Sequence, residues 1–222
     1  MAKYNKAPSE MRPEIIAAML DHVPFDGWSE AGMKQAAGDL GVPLAFIKMA
    51  FPGGAAEMVE EYLLGLDSEM LKLLKKKRLD KMGMTKRIVT AVKVRLEINH
   101  GHREAVRRTV GFLALPFNAP LAAKCLWRTV DAMWNAAGDT ATDYNHYTKR
   151  LILGGVYSTT LITWLGDESE GYQDTFEFLD RRIANVMEFE KVKAKAREFT
   201  KDLPDLAKIL GKMRYPDGHR RP

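Results

Sequence analysis

Apolar residues recur at helical spacing along nearly the whole chain. Ile15, Ile16, Met19, Leu20 and Val23 make the first stripe, the rhythm by which an amphipathic helix buries one face. Pro13 suits the first turn of that helix, and Pro24 marks its predicted end. FDGW reads as a turn, and Ser29 is placed to cap a second helix reaching Leu40. Gly41-Val42-Pro43 is a tight break, and a short third helix is predicted to about Ala50, before Phe51-Pro52-Gly53-Gly54.

The pattern continues in longer units. Met58, Val59, Tyr62, Leu63, Leu66, Met70, Leu73 and Leu74 predict a helix running on to Gly83. Thr85 is placed to cap the next, which carries Ile88, Val92, Arg95 and Leu96 and ends near Asn99-His100-Gly101. A helix from about Arg103 stops in LALPFNAP, where Pro116 and Pro120 predict a break. The following one, from Leu121, holds Leu126, Trp127, Val130 and Trp134 up to Gly138. Beyond DTATD, a helix from Tyr144 to Leu165 carries Leu151, Ile152, Val156, Leu161 and Ile162. Gly154-Gly155 in its middle costs helix stability and allows another helix or a ligand to approach. GDESEG is a polar loop, and a last core helix uses Phe176, Leu179, Ile183, Val186 and Met187. No strand, hairpin or repeat pattern occurs, so the fold class is all-α.

The apolar share of 46% and charged share of 28% over 222 residues are those of a globular protein. A lone cysteine, Cys125, between Ala123 and Trp127 excludes an internal disulfide and reads as a buried thiol. No secretory or Arg-rich presequence pattern and no apolar run of about 20 residues is visible. The expectation is a bacterial cytoplasmic protein, peripheral to the inner membrane, or a processed organelle form. The net charge of +5 is unevenly placed: five cations face six acidic residues up to Gly54, whereas ten Lys and Arg from Lys72 to Arg95 face only Asp80. KLLKKKRLDK reads as a solvated helix end rather than a lipid-headgroup contact.

Candidate chemistry is sparse. Glu97 and His100 make one Glu-x-x-His, but a di-iron bundle needs a second, and none occurs. His22, His100, His102, His146 and His219 show no paired ligand spacing. With no nucleophile beside a base and no phosphate loop, the expectation is no catalytic residue, no metal and no cofactor.

After Glu188 the character changes. Phe189, Val192, Ala196, Phe199 and Leu203, then Leu206, Ile209 and Leu210, form a narrow apolar face among lysines and arginines. Such a helix lies on an anionic membrane surface, or packs its face on the protein body or a symmetry mate. The chain is thus divided into an N-terminal module (1–54), a helical body (55–187) and a basic amphipathic tail (188–222).

The segment QAAGDLGVPLAFIKMAFPGGAAEMVEEYL resembles the N-terminal helix-turn-helix module of the tetracycline-repressor-like regulators, which bind DNA as dimers. Its short third helix reads Leu44, Ala45, Phe46, Ile47, Lys48, Met49, Ala50, so Lys48 alone offers a donor. DNA is therefore not expected as a partner, and a ligand-responsive transcriptional regulator is the alternative function.

LPFNAP, DAMWNAAGDTATDYNHYTKR, VYSTT and DTFEFLDRR together resemble the family of ubiquinone-biosynthesis lipid-binding accessory proteins, the ninth protein of the coenzyme Q pathway and its bacterial relatives. The likeness covers about residues 13 to 190. It implies a tetracycline-repressor-like homodimer that is not an enzyme. It also implies an isoprenoid quinone precursor or phospholipid as ligand, the demethoxyubiquinone hydroxylase as partner, and membrane attachment through the tail. Carried onto this chain, the partner-binding patch is Met133, Trp134, Gly138, Asp139, Asp143, Tyr144, Asn145, Tyr147 and Arg150, with His146 where many relatives have tryptophan. Pocket walls are expected among Val92, Leu96, Leu113, Trp127, Val130, Val156, Tyr157 and Trp164.

Overall fold

Pro13 occupies the first turn of α1 (Arg12–Asp26), where its missing N–H costs nothing. Contrary to expectation, α1 does not stop at Pro24 but carries it in the last turn. What ends it is Gly27, at φ 66°, whose N–H bonds to the Val23 carbonyl at 3.0 Å. Ser29 caps α2 (Glu30–Leu40) by accepting from the Gly32 N–H at 3.3 Å. Left-handed Gly41 then closes that helix, and Val42 donates back to the Ala37 carbonyl at 2.9 Å. The short α3 (Leu44–Ala50) follows.

The computed structural model describes residues 6–140 and 144–201, with side chains described for 6–140 and 145–188. By its internal contacts the chain falls into two units, Met1–Asp180 and Arg181–Pro222. In the first unit, Met19, Val23, Trp28, Ile47 and Phe51 share one apolar cluster with Met58, Val59 and Tyr62 of α4 (Gly54–Lys76), so packing runs unbroken across Gly54.

Two element ends differ from expectation. α4 stops at Lys76 instead of reaching Gly83. Its apolar stripe is exhausted at Leu74, and the cations that follow have nothing to bury, so Lys77 turns extended. α5 (Met84–Glu97) starts after Gly83, which holds the cap position, and Thr85 lies inside the first turn. α6 (Arg103–Leu113) leads through a tight turn, Pro116–Asn118, into α7 (Ala119–Ala137). Pro120 begins that helix rather than breaking the chain.

α8 (Tyr144–Gly166) packs on α7, and α7 packs in turn on α4 and α5. The glycines of α8 are not a forced close approach. A methyl at Gly154 would meet Leu126 Cδ2 at 3.7 Å, an ordinary contact, and Gly155 faces open space. α9 (Gln173–Lys201) continues through the position at which the tail was expected to begin. The backbone at Phe189, Val192 and Phe199 is helical, and their side chains, like all of Leu203, Leu206, Ile209 and Leu210, lie outside the described residues.

The polar loop before α9 holds a buried carboxylate. Asp167 accepts from the Ser169 N–H at 2.8 Å, the Ser169 hydroxyl at 2.6 Å, the Thr175 N–H at 2.8 Å and the Thr175 hydroxyl at 2.5 Å. Burial alone would raise its pKa, but these four bonds outweigh it and hold the group at about 2, against an ordinary 3.8. A depressed folded pKa gives stability that is complete above 3.8 and lost as pH falls through about 2. Acid unfolding is therefore expected to lose part of its pH dependence in that window in Asp167→Asn, with the variant less stable at neutral pH by about 1 to 2 kcal/mol. Equilibrium urea unfolding across the pH series measures both.

Candidate functional site

Between α4, α5, α6, α7 and α8 lies a cavity of about 190 Å³. Leu66, Val106, Val110, Leu126 and Leu161 make its walls apolar. Ile162 belongs to the lining and is 63% exposed, so the cavity opens beside the outer face of α8. Of the residues expected to wall a pocket, Leu113 and Tyr157 line this one. Val92, Leu96, Val130, Val156 and Trp164 are buried in the surrounding core, and Trp127 stacks on Tyr147 with ring centroids 6.0 Å apart.

One wall is polar, and it rests on a buried ion-pair network. Asp67 of α4 accepts from Arg95 Nε at 3.2 Å, Arg128 Nε at 3.0 Å and the Thr129 hydroxyl at 2.8 Å, tying α4, α5 and α7 together. Arg128 also reaches Glu60 at 3.6 Å, and Glu60 pairs with Lys124 at 2.6 Å. Asn99 donates to the Arg95 carbonyl at 2.9 Å and accepts from the Tyr62 hydroxyl at 3.2 Å. Burial pushes the Tyr62 phenol up to about 12, and it also raises the Tyr157 phenol and the Cys125 thiol, so all three stay protonated donors at neutral pH. The signal for this wall was present in the sequence: Asp67 falls on the stripe of Leu63, Met70 and Leu74, and Arg95 on that of Ile88 and Val92.

A second feature forms where α7 turns into α8. Gly138 ends α7 at φ 87°, and Arg87 donates to the Ala137 carbonyl beside it at 2.8 Å. Arg150, only 1% exposed, binds Asp131 at 2.5 Å, Asp139 at 3.2 Å, the His146 carbonyl at 3.0 Å and Asn135 at 3.3 Å. Lys149 pairs with Asp139 at 2.7 Å, and the Trp134 indole donates to the Lys149 carbonyl at 3.2 Å. Met133 is fully buried beneath. These residues act as a clamp that fixes the corner from inside.

The outward face of the corner is a smaller set. Tyr147 is 58% exposed and Leu151, one turn on, 67% exposed. Half-buried Trp127 and His146 flank them, with His146 edge-on to Tyr147 at 5.1 Å, and Asn145 is exposed nearby in sequence. Asp143 lies outside the described residues, and Tyr144 is described by its backbone only, as the first residue of α8. Leu151 was not among the expected patch residues, although its i+4 spacing from Tyr147 places it on the same helix face.

On α3, Ala45, Lys48 and Met49 are exposed, and Lys48 is already paired with Glu30 at 3.0 Å.

The helix order and the three-helix N-terminal part define a tetracycline-repressor-like fold. The solved TetR transcriptional regulator from Nitrosomonas europaea superposes with a TM-score of 0.66, covering 79% of this chain and 97% of that one at 22% identity. That likeness establishes the fold alone. The COQ9 family model matches residues 119–190, the segment that runs from α7 through the corner and α8 into α9. The mitochondrial ubiquinone biosynthesis protein COQ9 of Xenopus tropicalis is 32% identical over 189 residues, covering 82% of this chain and 59% of that protein. COQ9 of Homo sapiens is 29% identical over the same share of each. The chain belongs to the COQ9 family, and it spans about three fifths of the length of these relatives.

Proposed function

We propose that this protein is a non-enzymatic lipid-binding accessory of ubiquinone biosynthesis. It holds a polyprenylated aromatic precursor in the cavity, or a phospholipid in its place, and presents the precursor to the demethoxyubiquinone hydroxylase at the membrane surface. The observation that carries this reading is the apolar cavity with a single polar wall, in a chain whose relatives are named for ubiquinone biosynthesis. Burying isoprenoid surface supplies roughly 25 cal/mol per Å², so the few polar groups decide which lipid is held. At about 190 Å³ the cavity is smaller than the roughly 300–1,000 Å³ of drug-sized pockets. It suits an aromatic head, with the tail leaving past Ile162.

Among the described residues no single helix is long and apolar enough to cross a membrane. Attachment at the surface, through the basic tail and as a homodimer, is part of the proposal. The corner face is its docking surface for the hydroxylase, with Tyr147 as an aromatic anchor of the kind that dominates interfaces. The regulator alternative is weaker, because the one exposed cation of α3 is engaged by Glu30.

Tyr147→Ala tests the presentation step. Capture of the hydroxylase by the purified variant should fall at least about tenfold, with circular dichroism unchanged because the ring is largely exposed. Undiminished capture would remove the corner from the proposal.

A further inference from the structure

Arg95 is 2% exposed and lines the cavity, and of its guanidinium only Nε has a partner, Asp67 at 3.2 Å. Its two terminal nitrogens meet no acceptor among the described residues. A buried guanidinium ordinarily satisfies most of its five donors. Tyr157 is 6% exposed, lines the same cavity, and its hydroxyl likewise has no hydrogen-bond partner among the described residues. The two lie close enough for the Arg95 charge to act on the Tyr157 phenol.

Asp67, the carboxylate that Arg95 meets, is shared with Arg128 and the Thr129 hydroxyl. A buried guanidinium with spare donors in an apolar cavity is stabilised by an oxygen acceptor carrying full or partial negative charge.

We propose that Arg95 and Tyr157 form an acceptor anchor that binds a ring oxygen of the ligand, a quinone carbonyl or a phenolate, so that the aromatic head enters first. The apolar tail then points toward Ile162 and the opening. This rests on the lipid-carrier reading and adds the ligand's orientation and its chemical requirement: an oxygenated ring, not an isoprenoid chain alone.

The test uses decylbenzoquinone and decylbenzene, which share a six-membered ring and a decyl tail, the quinone carrying the carbonyl oxygens that the hydrocarbon lacks, titrated calorimetrically into the full chain. The wild type should bind the quinone at least about tenfold more tightly than the hydrocarbon. Tyr157→Phe should lose about three- to tenfold of that preference. Its unfolding midpoint should hold, because the hydroxyl it removes has no hydrogen-bond partner among the described residues. Arg95→Met should lose more, and Tyr157→Phe decides the matter should Arg95→Met fail to fold. Equal wild-type affinity for the two compounds, or an undiminished preference in Tyr157→Phe, overturns the anchor and leaves the carrier reading standing. Binding of neither compound overturns both.

Discussion

Asp67→Asn is expected to destabilise the protein by about 3 to 5 kcal/mol. The carboxylate sits 3.2 Å from Arg95 Nε, 3.0 Å from Arg128 Nε and 2.8 Å from the Thr129 hydroxyl, in a region where Arg95 is almost fully buried. An amide keeps the shape and part of the hydrogen bonding but removes the charge that balances two guanidinium groups. Taking one partner from a buried pair leaves an uncompensated ion, which costs far more than the pair contributes when intact. The network spans α4, α5 and α7, so the loss should appear in the global transition of a urea titration. Bound lipid would add stability by mass action, and the comparison therefore uses delipidated protein. A change below about 1 kcal/mol would mean that water already solvates these charges.

The second large effect is on binding. Ala122 of α7 is a small, half-buried residue in the cavity lining. Ala122→Trp puts an indole into a space of about 190 Å³ and should lower the affinity for decylbenzoquinone at least tenfold. Overpacking a filled core costs about 1 to 3 kcal/mol, whereas here the ring enters a void, so the unfolding midpoint should stay within a few degrees of wild type. Loss of fold would show that the space closes around Ala122, and unchanged affinity that the ligand sits elsewhere.

Much of this fold was legible in the sequence because helices are local objects. The stripes of α1 and α7, the Ser29 cap of α2 and the stop at Gly138 follow from spacing and capping chemistry alone. The errors came where a local signal was weaker than assumed. Pro24 in a last turn gives up one hydrogen bond without ending the helix, and Thr85 lost the cap position to Gly83, two residues earlier than expected.

The cavity was not legible in the same way, because a gap arises from the misfit of side chains on five helices, and periodicity reports burial without reporting voids. Leu113 and Tyr157 could be named among the expected pocket walls, yet nothing distinguished them from Val92 or Trp164, which are buried in the core. The corner was found as a block carried over from the family resemblance, and the structure divides it. Arg150 and Met133 are held inside, whereas Tyr147 and Leu151 face outward. Exposure is the quantity a partner reads, and for an aromatic residue on a helix it depends on what the next helix covers.

An oxygenated aromatic lipid held in the cavity should survive gentle purification. Mass spectrometry of the organic extract of wild-type protein, purified without detergent from ubiquinone-producing cells, should therefore find a polyprenylated quinone or phenol precursor, enriched over the phospholipid background. Repeated extracts containing no isoprenoid aromatic compound would contradict such binding.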